Sequence, residues 1–472
     1  MAAKTQPARG MRDFLPADVR RREYVIRVIK EVYERYGFEP LETPAVENIE
    51  TLMGKYGEEG NQLIFKILKR GEHEKTGEAD LALRYDLTVP LARVVAEYGD
   101  KLPKFFKRYQ IQPVWRADRP ARGRYREFYQ CDVDCIGTRS PVVEAEICAA
   151  ASDVLTALGF TNFTIRLNHR QVLAGVLEAA GIAPEKHGEA LVAIDKLDKI
   201  GREGVAREFE ARGIVAEGGE QLLGFFENLP ALEHAAEFVA GGDGGTAEVS
   251  QAQAYNAAAL GRLVEFIGDN ETGARGVDEL RKIVEYAEAY GVAERIKLDP
   301  SLARGLSYYT GAIMEISVPD LAGSLGGGGR YDNLVGMFSG RDIPACGFSL
   351  GLERIIVVMT ERGMFPEDLE RAAADVMVTI WNEDSFKDSL AFASELRRAA
   401  PELRVDVYPE ADKLGKQFKY ASSRGVPLVV VIGDDERARG EVALKDMKTG
   451  EQRAVGREQA ATAIREGAVA RP

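Results

Sequence analysis

The sequence predicts an α+β domain with an antiparallel sheet that carries a helical insertion, followed by a C-terminal α/β domain. Three observations predict it. From about 80 to 137, short strand-like runs alternate with charged turns, as in an antiparallel sheet with one covered face. Residues 186–290 are rich in Ala, Glu, Leu and Lys and read as several helices. Past a change of composition near 362–373, strand and helix signals alternate as βαβαβ, the pattern of a separate, mostly parallel sheet. These shifts put the first part of the larger domain at 1–185, the insertion at 186–290, the second part at 291–365 and the C-terminal domain at 373–472.

The first helix is expected at 18–36. Asp18 can cap it, Val25, Val28, Ile29, Val32, Tyr33 and Tyr36 recur at spacings of three and four, and Gly37 ends it. Residues 38–44 read as extended. Val114-Trp115-Arg116 and the run from Phe128 to Ile136 read as strands. The insertion contains a weak segment, Ala240-Gly241-Gly242-Asp243-Gly244-Gly245. Strand signals return at 310–318 and 346–350, and an apolar helix follows from Gly351 to Thr360. In the C-terminal domain, strands are expected at 375–381, 403–408 and 427–433, with helices at 385–399 and 413–424, then a hairpin and a final helix.

A chain of 472 residues suits two or three domains, and 45% hydrophobic with 29% charged residues is a globular composition. No apolar run approaches the roughly 20 residues of a membrane span, and MAAKTQPARGMRDFLP lacks a signal-peptide core. Cys131, Cys135, Cys148 and Cys346 make no disulfide framework, so a reducing cytoplasmic setting is expected. The net charge is −13, yet residues 101–130 hold nine cations against two anions, a local +7. Such a segment can receive a polyphosphate or an RNA end.

Gly326-Gly327-Gly328-Gly329-Arg330-Tyr331-Asp332 is neither a P-loop nor a dinucleotide fingerprint, and on its own it reads as a sharp turn between strands. The CxxxC of Cys131 and Cys135 has no partner pair, and His73, His169, His187 and His234 are scattered, so no structural metal is expected. No Gly-x-Ser-x-Gly supports hydrolase chemistry.

Three separated segments make sense together: FKRYQIQPVWRADRPARGRYREFYQCDVDCIG from Phe106 to Gly137, Leu302-Ala303-Arg304-Gly305-Leu306-Ser307-Tyr308-Tyr309-Thr310-Gly311, and Gly347-Phe348-Ser349-Leu350-Gly351-Leu352-Glu353-Arg354. Each resembles a signature of the class II aminoacyl-tRNA synthetases, and the second resembles that of the histidine-specific members. Gly10 to Pro16, Leu83 to Pro90 and Leu197 to Gly201 are similar to the same family, in the same order along nearly the whole chain.

The resemblance implies ATP-dependent activation of L-histidine, with Mg²⁺ accompanying ATP, and transfer to histidine tRNA. It implies catalytic roles for Arg116 and Arg304, with Arg116 clamping the α-phosphate and the substrate carboxylate. Arg354 holds the γ-phosphate, and Asp118 belongs to the ATP site. Asp134 and Tyr309, with Tyr308 beside them, face the imidazole, which needs one acceptor and one donor. Asp86, Thr88 and Gln130 grip the α-ammonium and carboxylate. Arg119, Arg122 and Arg124 meet the acceptor end of the tRNA, and the C-terminal domain binds the anticodon. A cytoplasmic homodimer with residues 10–50 at its interface is implied, with no membrane partner. Two departures stand out: Ser307, where the family typically has aspartate, and Ala121, where bacterial members commonly have glutamine. Asp86, Asp118 and Asp134 stand where many bacterial members carry glutamate, which is similar to the eukaryote-like branch. The competing reading is a catalytically silent regulatory paralogue acting with ATP phosphoribosyltransferase. Such paralogues usually lose motif residues and lack the C-terminal domain, both present here. A synthetase for threonine or proline is disfavoured by the Arg304–Tyr309 segment.

Overall fold

The computed structural model describes residues 5–71, 76–227, 229, 250–303, 308–319, 321, 323–370 and 373–469. Arg304, Ser307, His73, His234 and the weak segment 240–245 lie outside the described residues. The chain forms two compact units, Met1–Met364 and Phe365–Pro472.

In the first unit the strands are β1 (Glu39–Pro40), β2 (Val46–Asn48), β3 (Lys66–Leu68), β4 (Ala79–Leu83), β5 (Phe106–Trp115), β6 (Glu127–Ile136), β7 (Thr164–His169), β8 (Ile296–Leu298), β9 (Ala312–Ser317), β10 (Gly326–Arg330) and β11 (Ala345–Gly351). Eight of them make one sheet in the order β1-β5-β6-β11-β10-β9-β7-β8, antiparallel except at its two edge pairs. A second sheet has the order β2-β4-β3.

The larger sheet has an apolar face and a polar face because β6 alternates. Cys131, Val133 and Cys135 turn one way and are buried against helix Val142–Ala157, while Gln130, Asp132 and Asp134 turn the other way. Register places Arg108, Gln110 and Gln112 of β5 opposite Asp134, Asp132 and Gln130. On the far side of β6, Gly347, Ser349 and Gly351 of β11 oppose the same three residues.

Helix Pro16–Arg35 packs its stripe of Val25, Val28, Ile29, Val32 and Tyr33 within the unit, against β5 and helices Val142–Ala157 and Leu352–Glu361. It starts two residues before the expected Asp18: Leu15 is the N-cap and Pro16 opens the helix, since proline's fixed φ suits the first turn, where its missing N–H costs nothing. The glycine run is also not a turn. Gly326–Arg330 is a central strand, β10, between β9 and β11.

Within 186–290, helices His187–Ile194, Leu197–Ala211 and Ala216–Glu227 pack on one another, whereas Gln251–Ile267 and Glu271–Ala289 return to the sheet and cover β7 and β8. Gly175 of helix Arg170–Ala179 and Gly273 of helix Glu271–Ala289 let those two helices touch, because a Cβ on Gly175 would stand 2.5 Å from Gly273 Cα.

The second unit has β12 (Val376–Val378), β13 (Val405–Val407), β14 (Leu428–Val431), β15 (Glu441–Asp446) and β16 (Gln452–Gly456) in the order β13-β12-β14-β15-β16. The first three are parallel, and β15 and β16 add an antiparallel hairpin. Phe392, Leu396 and Ile464 cover one face, and Ala421 with Phe418 the other. β12 and β14 are apolar runs buried throughout, as parallel strands covered on both faces are, whereas the edge strand β13 is Val-Asp-Val with only Val405 buried.

Candidate active site

A cavity of about 330 Å³ opens on the polar face of the eight-stranded sheet. Asp86, Thr88, Arg116, Asp118, Arg124, Gln130, Asp134, Tyr308, Tyr309 and Arg354, expected from sequence to act together, all line it. Arg119 and Arg122 stand outside it, exposed on the β5–β6 loop, where Arg122 is ion-paired with Glu361. Arg304 is among the residues not described.

One group of side chains is acidic and deeply buried. Asp86 follows β4 and accepts hydrogen bonds from Tyr56 Oη (3.0 Å), Tyr308 Oη (3.3 Å) and the Val89 amide (3.0 Å) at the start of helix Thr88–Tyr98. Burial pushes its carboxyl above the ordinary range, and these bonds and Arg116 oppose that. Asp134 accepts a short hydrogen bond from Tyr331. Its Oδ2 lies 2.9 Å from Arg108 Nη2, an ion-pair distance without hydrogen-bond alignment. Gln130 donates to Ser349 Oγ at 3.1 Å while its Oε1 is buried without a partner among the described residues. Tyr308 and Tyr309 meet edge to face, with centroids 5.2 Å apart. Burial above all raises both hydroxyls, so they keep their protons as donors. Neither lies on a strand: they form the approach to β9.

The other group is cationic. Arg116 at the end of β5 donates from Nε to the Tyr85 carbonyl (3.0 Å), and its guanidinium lies between the rings of Tyr85 (4.3 Å) and Phe128 (5.2 Å). Aromatic faces fix its plane and leave its edge for a ligand. Arg354, at the β11–helix junction, is tied by Nη1 to the Ser324 carbonyl. Burial, then the proximity of Arg124 and Arg116, holds Arg354 below its ordinary value. Three like charges gathered around a cavity are costly until an anion joins them, so this end of the cavity is suited to an anion.

The turn that aims Arg124 is tight. Ala121 and Arg124 exchange both backbone hydrogen bonds (3.0 and 2.9 Å), and Gly123 has φ +67°. Arg124 is anchored by Asp118 at 2.9 Å.

Sequence reasoning missed Tyr56, Arg108, Asp132, Ser349 and Tyr331. The signal available was the alternation itself: polar residues at 108, 110 and 112 and at 130, 132 and 134 give two adjacent strands a polar face. Among the described residues, no group of three or more His, Cys, Asp or Glu is placed to hold a metal.

A cleft floored by an antiparallel sheet, with an arginine cluster beside buried carboxylates and tyrosines, is that of the class II aminoacyl-tRNA synthetases. Within that class the chain belongs to the histidyl-tRNA synthetase family, whose model matches residues 10–355; a model for an anticodon binding domain matches residues 375–467. It is 43% identical over 467 residues to a histidine–tRNA ligase of Gloeobacter violaceus, covering 94% of each chain. With one from Flavobacterium johnsoniae it shares 39% identity, covering 96% of this chain and 97% of that one. A crystal structure of histidyl-tRNA synthetase from Nostoc sp. PCC 7120 superimposes with a TM-score of 0.76 at 32% identity, covering 98% of this chain and 100% of that one.

Proposed function

We infer that this chain is a histidine–tRNA ligase, which activates L-histidine with ATP and transfers the histidyl group from the adenylate to histidine tRNA. The observation that carries the reading is an arginine anion site sharing one cavity with a buried donor–acceptor pocket. In the first step a histidine carboxylate oxygen attacks the α-phosphorus, and the bond to pyrophosphate breaks. Charge grows on the phosphoryl oxygens, where pre-positioned guanidinium groups act without reorganisation.

Arg116 is suited to clamp the α-phosphate and the carboxylate, because ring stacking orients it. Arg354 serves the γ-phosphate, and Arg304 acts at the α-phosphate. Mg²⁺ accompanying ATP would offset charge on the pyrophosphate, and Asp118 and Glu315 at the cavity wall would supply hard oxygens to hold it. Asp134 accepts the imidazole N–H, and the Tyr309 hydroxyl donates to the bare ring nitrogen. A side chain lacking either function leaves a buried polar group unpaired, the strong form of discrimination. The unpartnered Gln130 Oε1, with Asp86 and Thr88, receives the α-ammonium and carboxylate.

Exposed Arg119 and Arg122, with Arg124, meet tRNA phosphates near the acceptor end, and the second unit binds the anticodon. A cytoplasmic homodimer completes the reading, supported by Val46 and Leu81, exposed on one face of the three-stranded sheet. Among the described residues no helix is long and apolar enough to cross a membrane. ATP–pyrophosphate exchange with Mg²⁺, assayed across the twenty amino acids, should respond to histidine alone. No response to any would favour the regulatory role with ATP phosphoribosyltransferase, and a response to another amino acid would overturn the specificity.

A further inference from the structure

Beneath the amino-acid pocket lies a charge arrangement that the mechanism above leaves unused. Arg108 is fully buried on β5, opposite Asp134 in register. Its Nη2 lies 2.9 Å from Asp134 Oδ2 and 3.7 Å from Asp132 Oδ2, and it donates to the Leu87 carbonyl at 3.3 Å. Among the described residues it is the one cation within ion-pair distance of either carboxylate. Two buried carboxylates therefore share one guanidinium, and like charges this close cannot both ionise freely. The closer contact and the Tyr331 hydrogen bond favour charge on Asp134. Asp132, with the longer contact, has Ser349 as a partner and an Oδ1 that is buried without one. Asp132 also lines the cavity, so it is not merely core.

Resting on the histidine-binding reading above, we propose that Arg108 and Asp132 are positioning residues: Arg108 keeps Asp134 ionised and aimed at the imidazole N–H, and Asp132 competes for that guanidinium and so sets the pH range over which it succeeds. The titratable and charged groups near Asp132 are Arg108 from β5, Asp134 and Cys131 on its own strand, Asp86 and Arg84 beyond β4, Tyr309 before β9 and, across the sheet, Tyr33 from helix Pro16–Arg35. Arg108 is the nearest cation among them, and burial pushes both Asp132 and Asp134 up. Each proton gained by Asp134 removes the acceptor that the imidazole needs.

The test is the histidine KM of the full chain between about pH 5.5 and 8.5, read by pyrophosphate exchange. The ring titration of free histidine is common to all variants, so differences between them report the protein. In the wild-type chain KM rises as pH falls. Asp132→Asn keeps shape, removes the competing carboxylate and should move that rise measurably to lower pH. Arg108→Met should raise the histidine KM at least about tenfold, and R108M/D132N should recover part of that loss. A purely structural pair would give additive effects and an unmoved profile. A D132N profile that superimposes on the wild type overturns the proposal, and that variant decides the matter alone if Arg108→Met does not fold. Absence of any histidine exchange in the wild-type chain would instead overturn the reading beneath it, and the proposal with it.

Discussion

An oxygen of Asp134 occupies the space where a side chain at Gly347 would begin: an added Cβ would stand 1.8 Å from Oδ1. The two residues are register partners on β6 and β11, so neither backbone can retreat without breaking the ladder. Gly347→Ala should therefore swing the carboxylate out of its contact with Tyr331 and raise the histidine KM at least about tenfold, with the ATP KM little changed; equal loss for both substrates would refute this. Glu353 makes a different prediction. Burial pushes its carboxyl from 4.5 up to about 7. Between those values the unfolded chain has released a proton that the folded chain keeps, so stability falls as pH rises through the window. Glu353→Gln removes that slope and should gain on the wild type by on the order of 3 kcal/mol between about pH 4.5 and 8. Parallel denaturation midpoints across that range would exclude the account. That Arg116, Asp134 and Arg354 come together at one cavity was legible from contiguous motifs. Arg108 was not, because it sits in a run of nine cations that reads as a phosphate-facing surface. Strand alternation turns it inward while adjacent Lys107 pairs with Glu146.

Elements with side-chain periodicity were legible, within about three residues at the ends. The first helix, β6 and the apolar crossover strands of the second unit all carry a pattern that burial enforces. β10 carries none. Four glycines have no side chains to alternate, so only the neighbours reveal the strand, and the neighbours are set by long-range pairing. The physical demand there is space and not conformation, since none of the four has positive φ. A Cβ at Gly328 would lie 2.2 Å from the Gly347 carbonyl oxygen and 2.6 Å from Phe348 Cα. Gly328→Ala should cost roughly 3 kcal/mol or more, because backbone of a central strand must move. Circular dichroism melts of the variant would show it, and an unchanged Tm would mean that β10 and β11 are less tightly paired than described.

At the scale of the whole chain, the two compact units predict separable steps. A chain ending at Met364 keeps every described residue of the cavity and should sustain histidine-dependent exchange. It should charge tRNA at least about tenfold less efficiently, the equivalent of losing 1.4 kcal/mol of anticodon contact. Unimpaired charging would show that the second unit does not read the anticodon. The units divide at Met364 and Phe365, inside the composition shift near 362–373. The return of helices Gln251–Ile267 and Glu271–Ala289 to the sheet was not legible in the sequence, because their alanine-rich surfaces resemble those of the helices before them.

The glycine strand also dictates how this chain tolerates genetic change. Every single-nucleotide missense change in a glycine codon adds a side chain, so β10 has no neutral missense step available. The consequences nevertheless divide. Gly326, Gly328 and Gly329 would each press a Cβ to 2.6 Å or less from a carbonyl oxygen, whereas Gly327 meets only the Met314 carbonyl, at 3.4 Å. Gly327 stands between Glu315 and Ser349 in register, both on the cavity wall. In a saturation library scored separately for abundance and for activity, three of these codons should therefore empty the abundance channel. The fourth should yield well-expressed protein whose cavity has been filled.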